Sequence, residues 1–505
     1  MASFAVSLDR VSAVLGYELK ANLEGMAPPF LPMRVIVLGQ KSTANESVST
    51  SKLSFTNCSE IGKEYGYKSQ LYSAARILRP LLGGNPLGSM ETICIPVDAP
   101  IGGTASINTV AISGTATKNG THSIRLNGRT SLDGQSFSFS VIKGDGAAEI
   151  SQKMIDAVNN VLGACVTGTL STNDAVFTAG WVGLSSNEIN IEIETNGDNA
   201  GLTYTVTTTA GTGKVSITSA LAQIGNEWST LLVNCFGQDV DVLDAIEVFN
   251  GTADTKTGRY DANDWKPLLA FFGDSSLKTV SSISTVVNAR ALEQTNVFCP
   301  SPGSKGTGWE AAANGCVLQA KTSHETPNVD IIGMTYPDMP VGEDIGDFAD
   351  VNKRDQIVKL GCSTVQLNAG KYEIIDFVTT NHPSDEPQTA VRYRWVSDLI
   401  KDFNIKFIYF IFLNIYVKGK TLVNNDFTGS APNTISVDRW KGILINDFAP
   451  LLIDAGIMTD LEHFKNTLVV NISPSNPNRF ETTFKGKITG TARVLATTNE
   501  RQFNF

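Results

Sequence analysis

The chain holds four imidazoles, at His122, His324, His382 and His463, and these are its only candidates for a histidine base. A serine hydrolase needs one of them beside a serine, a carboxylate to orient the ring, and oxyanion donors at a sharp turn. No GxSxG pentapeptide occurs, and the nearest approach is Gly273-Asp274-Ser275-Ser276, which reads better as a glycine ending an element before a turn. Gly211-Thr212-Gly213-Lys214 hints at a phosphate loop. It lacks the GxxxxGK[ST] spacing, and Val215 stands where a magnesium-binding hydroxyl belongs, so it reads as a hairpin or linker. Asp338, Glu343, Asp344, Asp347 and Asp350 form an acidic run without EF-hand spacing, a solvated loop by default. Seven dispersed cysteines contain no CxxC pair and read as reduced, buried thiols rather than a zinc ribbon. The reading is that the chain has no catalytic residue, metal site or cofactor.

Composition narrows the partners. The 505 residues suffice for several domains, and 40 Lys+Arg against 50 Asp+Glu give a net charge of −10. No basic face for nucleic acid is visible. Met1–Arg10 carries Asp9 and lacks a basic start before an apolar run, so no signal peptide is read there. The most apolar stretch, Phe407–Val417, falls short of a membrane span and reads as a buried helix face or an oligomer contact.

The order of elements is βαβ at the start. Met33–Gly39 is a short apolar run, Gln70–Leu82 has helical spacing before Gly83-Gly84, and Thr92–Val97 is the next strand. Thr, Ser, Gly and Asn then dominate to about Lys214, with short alternating runs and one helix at Ala148–Leu162. The α/β rhythm resumes with the strand Thr230–Asn234, helices at Asp241–Phe249, Asp264–Phe272 and Ser281–Ala291, the strand Asn296–Cys299, and the buried helix Trp309–Ser323. A hairpin at Thr364–Val378, long helices at Val391–Val417 and Arg439–Ala455 (N-capped by Asp438), and the strand Leu468–Ile472 follow. The fold class is therefore an α/β core split by an insertion, an inserted β-rich α+β domain, an α+β C-terminal domain, and extended N- and C-terminal strand arms. The boundaries are 1–28 for the N-terminal arm, 29–99 with 218–344 for the core, 100–217 for the insertion, 345–480 for the C-terminal domain and 481–505 for the C-terminal arm.

Both ends alternate. Phe4, Val6 and Leu8 share one parity, and so do Phe484, Ile488, Ala492 and Val494, with mostly polar residues between them. A lone strand leaves its backbone groups unpaired, so each end either docks on its own domain or adds to a sheet of another copy. These seven residues are the candidate inter-subunit contacts.

Several stretches resemble the tail sheath proteins of contractile-tailed, Mu-like phages. Phe464–Val470 followed by Asn476-Pro477-Asn478-Arg479 is similar to that family's FK..L.V and DPNR segments. Tyr393-Arg394 ahead of a long helix, Leu422–Asp426 after it, and Thr379-Thr380-Asn381 after a hairpin match in order, as do Ile112–Ala116 and Asn187-Glu188-Ile189 in the insertion. The resemblance implies a structural subunit that forms stacked hexameric rings around a tail tube. It implies arms that add strands to neighbours, an outward-facing insertion, and contraction that drives the tube through the host envelope. The implied partners are other copies of the chain, the tube protein, and baseplate and tail terminator proteins, in a virion assembled in the host cytoplasm. Nucleic acid, membrane insertion and cofactors have no part in it. Two other readings stay open: an α/β hydrolase or protease with an inserted binding domain, and a non-contractile filament protein.

Overall fold

Six residues, Val35–Gln40, form strand β1 and are buried along its whole length. A strand covered on both faces needs no alternation, which is why this stretch reads as a continuous apolar run. In the computed structural model, which describes residues 30–498 apart from 49, 262–264, 388–390, 392 and 430, β1 is the middle of a parallel sheet. Its partners are β2 (Thr92–Val97) on one side and β3 (Leu231–Asn234) on the other. Beyond β3 lie β4 (Leu269–Asp274) and β5 (Asn296–Pro300), also parallel. The two-residue strand Leu53–Ser54 closes the opposite edge antiparallel to β2. The order is β5-β4-β3-β1-β2, so the chain reverses its direction of winding between β1 and β3.

Helix α1 (Gln70–Leu78) is N-capped by Ser69, whose hydroxyl accepts from the Tyr72 N–H, and is buried on every side. Helix α2 (Gly308–Glu325) packs on β4 through two glycines. A Cβ on either Gly273 or Gly308 would sit inside the van der Waals envelope of the other's carbonyl oxygen, so both positions must stay bare.

The stretch expected as a helix at Asp264–Phe272 runs into β4 instead, which begins at Leu269. Pro267 and Gly273 bound a short apolar block, LLAFF, and such a block does not distinguish helix from strand by periodicity. Pairing on both sides decides it.

The segment 107–209 forms two antiparallel sheets. One has the order Thr203–Thr209, Ile107–Ser113, Asp174–Ala179, Val166–Ser171, and the other Ile191–Glu194, Gly120–Leu126, Ser138–Val141. Helix Ala147–Asn159 packs on the first. Val166–Ser171 escapes the sequence reading because Val166 and Leu170 are its two large apolar residues and the rest is Thr, Gly and Ser. The strand expected from Glu188 starts at Ile191, since Leu184–Glu188 is a 3-10 turn. Both ends of the segment meet where Thr104 and Thr212 exchange backbone hydrogen bonds of 3.0 and 3.1 Å, so Gly211–Lys214 closes a junction and cradles no phosphate.

The chain divides into two compact units. The larger spans Pro32–Phe403 and Ile488–Phe505; the smaller spans Met1–Leu31 and Asn404–Lys487. Helix α3 (Val396–Tyr416) starts after Tyr393, whose φ of 59° is left-handed, and so begins later than its apolar pattern suggests. In the smaller unit Tyr409, Trp440, Phe448, Phe464 and Phe484 form an aromatic core with centroid separations between 5.3 and 6.1 Å. The helix expected from Arg439 starts at Val437 and is capped by the Ser436 hydroxyl rather than by Asp438. It passes through a π turn, Leu444–Phe448, just before Pro450, whose missing N–H would otherwise break the ladder. Val469–Ser473 and Asn476–Thr483 form an antiparallel hairpin.

Candidate functional site

An open parallel sheet offers a binding crevice at the carboxyl ends of its strands, where the winding reverses. Here that point lies between β1 and β3, and side chains of the protein itself fill it. The Gln70 amide bridges the splayed strand ends: its Oε1 accepts from the Gln40 N–H at 3.2 Å and its Nε2 donates to the Cys235 carbonyl at 2.6 Å. The Gln40 side chain donates to the Val182 carbonyl at 2.9 Å, and its Oε1 accepts from Ser185 Oγ at 3.1 Å. Ser185 in turn accepts from Trp181 Nε1 at 3.0 Å, and Trp181 stacks edge-on against Trp309 of α2 at 5.5 Å. The inserted segment thus plugs the crevice. Gln70→Ala leaves a buried N–H and a buried C=O without partners and should cost about 2–4 kcal/mol in denaturant unfolding.

Beside the plug is a cleft of 310 Å³ lined by Leu184, Ser185, Glu188, Phe236, Gln238 and Asp274 among others. Asp274 ends β4, and its Oδ1 accepts from the Ser276 N–H, the Ser276 hydroxyl and the Leu277 N–H at 2.6 to 2.8 Å. The Gly273–Ser276 sequence is therefore an Asx-type turn, not a nucleophile elbow. Glu188 accepts from the Gly308 N–H at the start of α2 at 2.6 Å. Burial pushes its carboxyl up to about 8, against the Gly308 hydrogen bond and with help from Asp274 and Glu310. With a folded pKa above the unfolded one, the native state binds the extra proton between pH 4.5 and about 8, and stability falls as pH rises through that window. Glu188→Gln should therefore exceed the parent by ~1–2 kcal/mol near pH 8 and match it near pH 4.5, by unfolding in denaturant at both pH values.

The histidines do other work. His122 is buried in the inserted segment, bonded to the Tyr204 hydroxyl at 2.7 Å and the Asp198 carbonyl at 2.8 Å. His382 Nδ1 meets the Thr380 carbonyl at 2.7 Å. Among the described residues no hydrogen bond joins a histidine ring to a serine. The acidic run is distributed over structural tasks. Asp338 pairs with Arg76 and Arg129, Asp344 with Lys278, Asp347 accepts from the Val280 N–H, and Asp350 caps helix Val351–Lys359. Among the described residues no group of His, Cys, Asp and Glu is arranged to hold a metal ion, and all seven cysteines are buried and unpaired. No helix among them is long and apolar enough to cross a membrane.

The candidate inter-subunit residues fall in different places. Phe4, Val6 and Leu8 lie outside the described residues. Phe484 is part of the aromatic core of the smaller unit, 5.5 Å from Tyr409 and 5.3 Å from Phe464. Ile488 is half-buried in the two-residue strand Lys487–Ile488. Ala492 and Val494 are exposed, and residues 489–498 form no strand. Upstream, Asn476–Thr483 pairs only with Val469–Ser473 among the described residues, so the hairpin keeps an unpaired edge.

Two groups escape the sequence reading. Arg76, Arg129, Glu310 and Asp338 form an ionic cluster, buried at Arg76 and Glu310 and open at Asp338, with Glu310 accepting from Arg129 at 2.8 Å and Asp338 from Arg76 at 2.9 Å. Its members lie up to 262 residues apart in sequence, from Arg76 to Asp338, and no local pattern links them. Arg493 pairs with Asp330, and its only sequence signal is a single arginine in the stretch ITGTARVLATT.

No protein-family model matches the sequence. Among curated proteins, the chain is 22% identical over 488 residues to the tail sheath protein of the Mu-like prophage FluMu of Haemophilus influenzae, covering 93% of each. Among solved structures, a sheath tail protein from Desulfitobacterium hafniense aligns with a TM-score of 0.44 at 11% identity, over 95% of this chain and 100% of that one. A chain from the contracted baseplate of the anti-feeding prophage aligns at 0.42 and 10% identity, over 97% of this chain and 99% of that one. The sequence likeness covers 93% of both chains, and through it this chain is similar to a tail sheath protein of a Mu-like prophage.

Proposed function

We propose that this chain is a structural subunit of a contractile tail sheath. The observation that carries the reading is the sequence likeness to a tail sheath protein over 93% of both chains. In this reading the subunits stack as hexameric rings around a tail tube and engage baseplate and terminator proteins. They join by strands added to open sheet edges and repack on contraction to drive the tube through the host envelope. The hairpin Val469–Thr483, whose edge is unpaired among the described residues, supports strand addition. The filled crevice between β1 and β3 supports a role without catalysis, because the place where this kind of sheet holds a substrate is occupied by Gln70 and the inserted segment. The body keeps a doubly wound core and uses it as a rigid block.

Negative-stain microscopy of the purified protein tests the reading. Hollow cylinders with a six-fold end view are the expected result. Monomers at every concentration and salt, accompanied by hydrolysis of an ester or peptide substrate, would overturn it.

A further inference from the structure

We propose that Arg493 is the fixed root of the C-terminal arm. It keeps residues up to 493 on the subunit that made them, and the segment offered to a second copy of this chain starts at Val494. This rests on the assembly reading above and adds the point at which the arm leaves the body.

Arg493 is 11% exposed and pairs with Asp330, itself 6% exposed, at 2.5 Å. The same Nη2 donates to Ser397 Oγ at 2.9 Å, and Ser397 donates to Asp330 Oδ2 at 3.1 Å, which closes a triangle. The guanidinium carbon lies 3.8 Å from the centre of the Trp395 ring, a cation–π distance. Four residues upstream, the buried Lys401 donates to the Thr489 carbonyl at 2.6 Å. The backbone is thus pinned at 489 and again at 493. Between the pins the polar parity faces inward: Thr491 and Arg493 are half-buried, while Ala492 is exposed.

Past Arg493 the pattern changes at once. Val494 is 91% exposed and Leu495 is 85% exposed. Adjacent residues of an extended chain point to opposite sides, so two uncovered apolar neighbours call for a partner that covers both faces. The partner we assign is a second copy, because every copy carries a hairpin at Val469–Thr483 whose edge is unpaired among the described residues. Donating the chain from a point before Arg493 would strip Asp330 of its cation inside the body, a buried charge left uncompensated. Donating it from Val494 costs the body nothing. A root at a fixed place also raises the effective concentration of the arm at the neighbour's edge.

Two measurements on the full chain test this. Trypsin cleaves after arginine, and in the unpolymerised parent the Arg493–Val494 bond should resist it. In Asp330→Asn the same bond should be cut about tenfold faster, the change expected when a charge-assisted anchor is removed. Equal cleavage in the two proteins would overturn the proposal. The second measurement is exchange of the pair. Arg493→Asp alone and Asp330→Arg alone should lose polymer in sedimentation, and the two together in one chain should regain it. A mixture of the two single variants should stay unassembled. Recovery in the mixture would mean that the pair forms between copies and the arm leaves earlier, which also overturns the proposal. If a swapped variant fails to fold by circular dichroism, Asp330→Asn and Ser397→Ala keep the cleavage site and decide the matter by trypsin. Val494→Asp with Leu495→Asp addresses the assembly reading separately: normal polymer from that variant sinks the donated arm while leaving the trypsin result standing.

Discussion

Ending the chain after Arg493 should give a subunit that keeps its circular dichroism and its unfolding midpoint and forms no polymer. The described residues beyond that point make no strand, and Val494 and Leu495 are almost fully exposed, so their loss should change stability by no more than about 0.5 kcal/mol. The effect on assembly is large because contacts in a lattice are multivalent, and removing one linked contact lowers avidity by about 10²–10⁴. A cut placed earlier behaves differently. Stopping after Asn478 divides the strand Asn476–Thr483, deletes the Thr482 hydroxyl that accepts from Trp440 Nε1 at 3.1 Å, and removes Phe484 from the aromatic core. Phe484 is partly buried against that core, and its loss together with most of the strand should make the shorter protein aggregate or melt. Sedimentation beside circular dichroism separates the two cuts. Polymer from the chain ending at Arg493 would show that the arm is dispensable.

Glu310→Ala should be strongly destabilising. Glu310 is 2% exposed and stands in the first turn of α2. One oxygen accepts from Arg129 at 2.8 Å and faces Arg76 at 3.7 Å; the other accepts from the Thr307 N–H at 3.0 Å and so caps the helix. Arg76 is buried and the Arg129 side chain is 12% exposed, and their remaining counterions are Asp338 and the more distant Asp133. Burial works against the charge on Arg129, but Glu310 and Asp338 outweigh it and raise its pKa. Removing one partner of a buried ion pair costs about 3–5 kcal/mol, to which the lost cap adds ~1 kcal/mol. Arg129 belongs to the inserted segment and Glu310 to α2, so the damage should spread to both. The expected readout is a lower denaturant midpoint with faster proteolysis of the insertion. A midpoint unchanged from the parent would remove the cluster from the account of stability. Acid should weaken the same cluster. Burial raises the Asp338 carboxyl, yet Arg129 and Arg76 outweigh that and hold it below the usual range. The unfolded chain then binds the extra proton, and stability falls as pH drops through the folded value.

What was legible in the sequence follows from locality. Val35–Leu38 and Ile93–Val97 are apolar without interruption because both their faces are covered, and α1 shows its helical spacing beside a serine cap. The overlap of LLAFF with a helical pattern hid β4, since only its neighbours in the sheet, far away in the chain, determine it. The alternation after Phe484 is real in sequence, yet Phe484 enters the core of its own unit and Arg493 turns the polar parity inward. Alternation reports which residues share a face. It does not report which face is covered, and a single ion pair with Asp330 reverses the answer. The interruption of the α/β rhythm near residue 100 was visible as a change in composition. The Gln70 bridge was not, because an amide between two strand ends leaves no trace in any window of sequence.

The junction at Thr104 and Thr212 bears on the order in which the chain folds. Pairing β1 with β3 joins backbones 196 residues apart, as at Val35 and Leu231. Closing the junction first ties off 108 of those residues in advance. By loop-closure entropy this lowers the cost of the later pairing by ~0.7 kcal/mol, or about threefold in rate. The expected order is that the inserted segment folds first as a local antiparallel unit, and the non-local parallel sheet closes afterwards around a loop already tied. A substitution that opens the junction, such as Thr212→Pro, should delay the appearance of the native sheet while leaving the early signal of the insertion unchanged. The insertion, on this account, is an early scaffold on the route to the body that carries it.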